Sequence, residues 1–263
     1  MITWLVGYPK SGSTWIRCLL NAYFNCGYLD INNMPWGAGD NRRYYYQAVS
    51  PVPYNELSRE DIIQIRPAAL MNLAVGIGQK PLIVKSHHFY GQINNVHLFP
   101  KLFTKRAFYL LRDPREIAPS YAAHMNCSLD DAISQMADEA WTIGENDQSY
   151  HVLSSWSQNV KSWIQHKDFP VHVIKYAKLK VDPASILAGI LDRIGFDEID
   201  SRLIDKAVEA TQIEKLKAQE LVKGFEESPT GNQFFGGERA SLSDAQRNRI
   251  ERDHAEVMNL VAL

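Results

Sequence analysis

"ITWLVGYPKSGSTW", residues 2–15, decides how the rest of the chain is read. An apolar run, Ile2 to Val6, enters a loop with glycines at 7 and 12 and a lysine at 10, and the loop enters a helical pattern. A strand, a glycine-rich turn and a helix in that order aim backbone N–H groups and a positive helix end at one point, an arrangement suited to a phosphate. The nucleotide triphosphatase loop reads G-x-x-x-x-G-K-[ST], with its lysine after the second glycine. Here Gly7 and Gly12 keep that spacing, but Ser13 follows the second glycine and Lys10 precedes it. The shape is that of a phosphate loop, with the cation moved.

Outward from the loop, the spacing of Trp15, Cys18, Leu19 and Ala22 predicts a helix from near Ser13 with one apolar stripe. Residues 32–56, with Pro, Gly, Asn and a Tyr triplet but no steady period, read as a long exposed loop or flap. Ser58 and Asp61 can cap a helix over 59–75, with an interruption near Pro67. "PLIVKS" (81–86), "RAFYLLRDP" (106–114) and "VHVIKY" (171–176) read as strands. Helices are expected over 114–125, from Ser128 to about Trp141, and over 151–166, 183–194 and 201–223, with a last one from Ser243. Strands spaced by helices predict an α/β, P-loop-like three-layer fold. Its mainly parallel central sheet is flanked by helices, with a ligand crevice at the carboxyl ends of the strands.

The 263 residues, 45% apolar and 22% charged, suit one soluble globular domain over 1–263 with a sizeable core. Lys plus Arg (28) nearly balances Asp plus Glu (30), so a net charge of -2 offers no global attraction to nucleic acid or anionic membrane, and any anion site must be local. Cys18, Cys26 and Cys127 are odd in number and lack metal-ligand spacing, which predicts free core thiols in a reducing compartment. The first strand begins at once, leaving no room for a signal peptide, and no apolar run of about 18 residues occurs. The expectation is a cytoplasmic protein.

Three predicted strand ends carry polar groups: Lys10, Ser11, Gly12, Ser13 and Thr14 after the first, Lys85, Ser86, His87 and His88 at the second, and Arg112 and Asp113 at the third. Singly, a lysine or arginine there is a solvated charge and a histidine a structural residue. Together they suit a phosphate-like group beside a hydroxyl that must lose a proton.

In that order the motifs resemble those of sulfotransferases that use 3'-phosphoadenosine 5'-phosphosulfate (PAPS) and release 3'-phosphoadenosine 5'-phosphate (PAP). "YPKSGSTW" is similar to their 5'-phosphosulfate loop. "KSHH" resembles the segment bearing the catalytic base, which implies that role for His87 and a supporting one for Lys85. "LRDPREIAPSYAAH" resembles the 3'-phosphate motif, implying Arg112 and Ser120, and "KYAKLKVDP" resembles a fourth segment whose tyrosine, here Tyr176, lies near the adenine. The resemblance runs from residue 4 to about 196. It implies that Lys10 stabilises charge on the leaving group, that Ser11, Gly12, Ser13 and Thr14 cradle the 5'-phosphate, and that Trp15 lies near the adenine, whereas the residues themselves read Trp15 as packing at the helix start. A sulfuryl group carries less charge than a γ-phosphoryl group, so no metal is expected. The family's Arg-Lys-Gly loop and the tryptophan after it are missing from "FFGGERASLSDAQ", where Gly236, Gly237 and Arg239 are the candidate substitutes. The acceptor implied is a small molecule, a glycan or a lipid. A kinase or nucleotide triphosphatase and a non-catalytic PAPS- or PAP-binding protein stand as alternatives, and His88 as a rival to His87.

Overall fold

Strand β1 (Ile2–Val6) is buried along its whole length, as an apolar run paired on both sides must be. In the computed structural model, which describes residues 1–76, 81–144, 150–196, 198–228 and 233–263, β1 runs parallel to β3 (Leu82–Ser86) and to β6 (Thr104–Leu111). Between β1 and β3 come helix α1 (Ser13–Phe24), the short edge strand β2 (Ala38–Gly39), α2 (Arg43–Gln47) and α3 (Arg59–Gly76). Hairpin β4 (Gln92–Ile93) and β5 (Val96–His97) precedes β6, and α4 (Pro114–Met125) and α5 (Leu129–Ala137) follow it. Hairpin β7 (Thr142–Ile143) and β8 (His151–Val152), α6 (Trp156–Gln165) and β9 (Val171–Lys175) come next. The chain ends in α7 (Tyr176–Val181), α8 (Pro183–Ile194), α9 (Ser201–Ala210), α10 (Ile213–Lys223) and α11 (Asp244–Leu260). Among the described residues five strands form one sheet in the order β2-β3-β1-β6-β9. Its register sets Val6 opposite Ser86 on one side and Tyr109 on the other.

The chain divides into two compact units, each assembled from three segments. One comprises Met1–Tyr8, Gly37–Tyr109 and Asp138–Val173; the other comprises Pro9–Trp36, Leu110–Ala137 and Ile174–Leu263. In the first, Trp4 and Phe99 meet edge to face at 4.8 Å, Phe99 meets Trp163 at 4.6 Å, and the Trp4 indole N–H donates to Thr104 Oγ1 at 3.0 Å. In the second, α1 packs against α8 and α9, and α11 against α4 and α5.

Local signals place several helix starts. Asp113 accepts from the Arg115 N–H and Pro114 takes the first position of α4, while Ser243 and Gln246 form a reciprocal cap on α11. Other expectations give way to tertiary packing. Helix α1 is buried nearly all round, from Ser13 to Tyr23, rather than along one stripe, because it lies inside its unit. Residues 32–56 are no exposed flap: they supply β2 and α2, with Met34, Asp40, Tyr46 and Tyr54 buried. Helix α3 continues through Pro67, and the helix expected over 201–223 breaks at Thr211 into α9 and α10. All three cysteines are free thiols, but Cys18 alone is in the core; Cys26 is exposed and Cys127 half-buried.

Asn159, fully buried on α6, ties the first unit together. It accepts from the Tyr109 hydroxyl at 2.9 Å and donates to the carbonyls of Leu153 at 2.9 Å and His87 at 3.3 Å. Replacing it by an isosteric apolar residue strands these groups out of water. Asn159→Leu is therefore expected to lower stability by about 2 to 4 kcal/mol, read as a lower urea midpoint at unchanged slope; an unchanged midpoint would show that water replaces the bonds.

Candidate functional site

In the second unit, Gly12 caps α1 with φ 105°, and its carbonyl accepts from the N–H groups of Trp15 and Ile16 at 3.0 and 3.2 Å. A Cβ at Gly12 would stand 2.7 Å from Tyr176 Cδ2, so both the backbone angle and the ring beside it require glycine. Among the described residues no side chain caps α1, and no acid sits in its first turn. Ser11, Ser13 and Thr14 are buried at the helix start, and among the described residues the Ser11 hydroxyl and the Trp15 indole N–H are buried without a partner. An uncapped helix N-terminus with an orphaned hydroxyl suits an anion that brings its own acceptor oxygens.

Lys10, itself left-handed at φ 69°, sets its ammonium 3.4 Å over the Phe234 ring. Its carbonyl accepts from Arg112 Nη1 at 2.8 Å, and the Arg112 guanidinium lies 4.1 Å over the Tyr176 ring. Arg112 also donates to Glu116 at 3.2 Å, whereas Asp113 turns to Arg115. Ser120 is buried on α4, and Trp15 meets Tyr176 edge to face at 6.2 Å. Loop, Arg112 and Tyr176 are thus gathered by the second unit. Arg239 donates to the carbonyls of Gln233 and Phe234, at 3.1 and 3.2 Å, and so braces its own loop. Burial holds its pKa below the ordinary value, Glu220 opposes the shift, and the Arg112 charge adds to it. A Cβ at Gly237 would meet the Gln233 carbonyl at 2.5 Å.

The first unit holds the histidines. His87 follows β3, half-buried, with its Nδ1 2.7 Å from the Gly7 carbonyl, which can only accept, so the ring proton sits on Nδ1. Burial, then Lys85 and His151, push the His87 pKa well below its usual value, against the Gly7 bond and Asp40. His88 is fully buried, and its Nδ1 accepts from the Val152 N–H at 3.0 Å. Burial and Arg66 push its pKa well below the usual value too. Lys85 lies half-buried at the end of β3. Asp40, Arg66, His151 and Phe234 were not singled out by sequence reasoning. Asp40 sits in a stretch without periodicity, and 111 residues separate it from His151.

The family model described as "Sulfotransferase domain" matches residues 2–261. The chain belongs to the sulfotransferase domain family. This sulfotransferase-family chain is 26% identical over 223 residues to sulfotransferase 1B1 of Mus musculus, and 26% identical over 225 residues to sulfotransferase 1E1 of Bos taurus. The alignments cover 82% and 81% of this chain but only 65% of either relative, so the match spans about two thirds of their length. Among solved structures it is similar to retinol dehydratase in complex with androsterone and inactive cofactor PAP, with TM-score 0.63 and 17% identity, covering 98% of this chain and 80% of that one. It is also similar to mouse sulfotransferase SULT7A1 complexed with PAP, with TM-score 0.59 and 20% identity, covering 98% and 84%. These likenesses show the expected fold, a mainly parallel central sheet flanked by helices. Among the described residues no helix is long and apolar enough to cross a membrane.

The histidines also set an acid limit. His87 and His88 are held neutral, and burial pushes the pKa of His254 down to about 4. Unfolded, each protonates near about 6.5. Below that pH the unfolded chain binds more protons, so the stability present above about pH 6.5 is lost as pH falls toward about 4, by up to about 1.4 kcal/mol per pH unit for each histidine. Urea midpoints at several pH values in this window should fall steadily, and a flat series would contradict the assignment.

Proposed function

We propose that the chain is a PAPS-dependent sulfotransferase acting on an acceptor hydroxyl or amine, with His87 as the general base. The observation that carries this reading is the His87 ring: neutral, with its proton held on Nδ1 by the Gly7 carbonyl, it keeps the Nε2 lone pair for a proton from the acceptor. The resemblance of "KSHH" to the family's base segment supports the same residue. Bound PAPS would supply an activated sulfuryl group whose bridging bond breaks to release PAP.

In this reading Nε2 of His87 takes the acceptor proton as the new bond to sulfur forms, and the Lys10 ammonium stabilises the electron pair left on the bridging oxygen. Ser11, Ser13, Thr14 and the N–H groups opening α1 hold the 5'-phosphate, an assignment supported by the orphaned Ser11 hydroxyl and the uncapped helix. Arg112 and Ser120 take the 3'-phosphate, Tyr176 and Trp15 the adenine side, and Lys85 supports the base. Arg239, which feels the Arg112 charge, and Gly237 stand in for the family's missing loop. The neighbour that holds androsterone, and a second retinol dehydratase structure that holds retinol, support a small-molecule acceptor; a glycan or lipid hydroxyl is the wider class. We assign one domain over 1–263, supported by the match across 2–261, and a cytoplasmic location.

Arg112→Ala removes a charge-assisted hydrogen bond worth about 1.5 to 3 kcal/mol, and so is expected to weaken PAP roughly 10-fold to 150-fold. Adenosine 5'-phosphosulfate, which has no 3'-phosphate, should hardly notice the change. Calorimetric titration of both ligands checks this, and equal losses would remove Arg112 from the 3'-phosphate site. Single-turnover transfer by His87→Ala should slow by about 10² to 10⁴ with PAP affinity unchanged. Collapse in His88→Ala instead would reassign the base, and PAP binding without transfer to any acceptor in a broad panel would favour a non-catalytic binder.

A further inference from the structure

Asp40 follows β2, and its N–H donates to the Lys85 carbonyl at 2.9 Å, which fixes it beside the strand that ends at His87. Its carboxylate is fully buried. One oxygen accepts from Arg66 Nη2 at 2.6 Å, and the other lies 3.0 Å from His151 Nε2. Arg66 is itself pinned, donating to the Leu98 carbonyl at 2.8 Å and to the Tyr46 hydroxyl oxygen at 3.0 Å. The His151 ring then meets His87 at 5.6 Å, near edge to face, and His88 at 4.7 Å.

Burial alone would raise the Asp40 pKa, but Arg66 and His151 more than offset it and hold the carboxyl well below the usual range. Asp40 can therefore only accept, which places the His151 proton on Nε2. The Nδ1 of His88 accepts from Val152, so its proton is on Nε2 as well. Ligating atoms of Asp40, His88 and His151 lie within 4.8 Å of one another. A divalent cation there would have to strip the proton that the Val152 bond requires of His88 and compete with Arg66 for Asp40. These side chains are spent on one another instead, in a chain that runs toward His87.

We propose that Asp40 and His151 are positioning residues for His87. Arg66 fixes Asp40, Asp40 fixes the plane and tautomer of His151, and the His151 ring keeps His87 from turning off the Gly7 carbonyl. The need is physical. Rotation of an imidazole about χ2 is soft, and one hydrogen bond alone leaves the ring free to swing. Charge also matters to the imidazolium that forms when His87 takes a proton: Lys85 from β3 opposes it, and Asp40 is the negative charge that favours it. The inference rests on His87 being the base.

Asp40→Asn tests it, because the amide keeps the shape and changes the donor pattern. Its oxygen must face the Arg66 donors, so its N–H₂ faces His151 and forces the ring proton to Nδ1, the logic by which an amide upsets a histidine held by a carboxylate. Nitrogen-15 spectra of the ligand-free wild type should show His151 protonated at Nε2 and His87 at Nδ1. In Asp40→Asn the His151 proton should move to Nδ1, and kcat should fall about 10-fold to 100-fold while PAP affinity stays within about twofold. Should that variant fail to fold, His151→Asn leaves the Arg66–Asp40 pair in place and is expected to show the same split between kcat and PAP affinity. Wild-type His151 protonated at Nδ1, or a folded variant with kcat within about twofold of wild type, would overturn the proposal. A wild type that binds PAP but transfers nothing counts against the sulfotransferase reading alone, since the ring tautomers are read without donor or acceptor.

Discussion

Parallel pairing on both sides of β1 is the constraint on which the rest depends. Because β3 and β6 run the same way as β1, with Val6 level with Ser86 and Tyr109, the three carboxyl ends come side by side. Within the first unit, Gly7 after β1 and His87 after β3 therefore start from one edge of the sheet, and the Gly7 carbonyl reaches the His87 ring. Antiparallel pairing would scatter them to opposite edges. All five residues of β1, Thr3 among them, are buried, as a strand inside a parallel sheet with both faces covered is.

The polar groups follow two regimes. Among the described residues the loop of the second unit leaves donors unmet, with no side-chain cap on α1 and a buried hydroxyl without a partner, and it strains its backbone at Lys10 and Gly12. Such a site gains stability from an anion that satisfies it. In the Arg66–Asp40–His151 chain of the first unit the buried Arg66 and Asp40 charges pair with each other, and His151 bonds the second carboxylate oxygen. A buried pair of this kind adds little net stability over apolar packing, but removing one partner is costly. Its value lies in fixing directions.

Legibility followed range. The loop was readable because glycine spacing, lysine position and the helix start all lie within nine residues, and the helix starts at Pro114 and Ser243 because their signals are equally local. Segment 32–56 was misread because β2 is two residues long, too short for a period, and gains its strand identity only by pairing with Val84 and Lys85. The choice between His87 and His88 was not decidable from alternation along a strand, since both follow β3. It was the Gly7 carbonyl and the Val152 N–H, 80 and 64 residues away, that gave the two rings different protons.

By itself the sequence determined the α/β character, the loop that opens it, the order of the motifs and the local helix starts, because these depend on propensity, capping and backbone angles within a few residues. Only the tertiary structure decided that α1 is buried all round, that Asp40 belongs to the core, and that His151 stands between Asp40 and the two neighbouring histidines. The physical reason is that burial and proton placement are properties of surroundings. A histidine's tautomer is set by whichever donor or acceptor the fold brings to each nitrogen, and those groups come from distant parts of the chain.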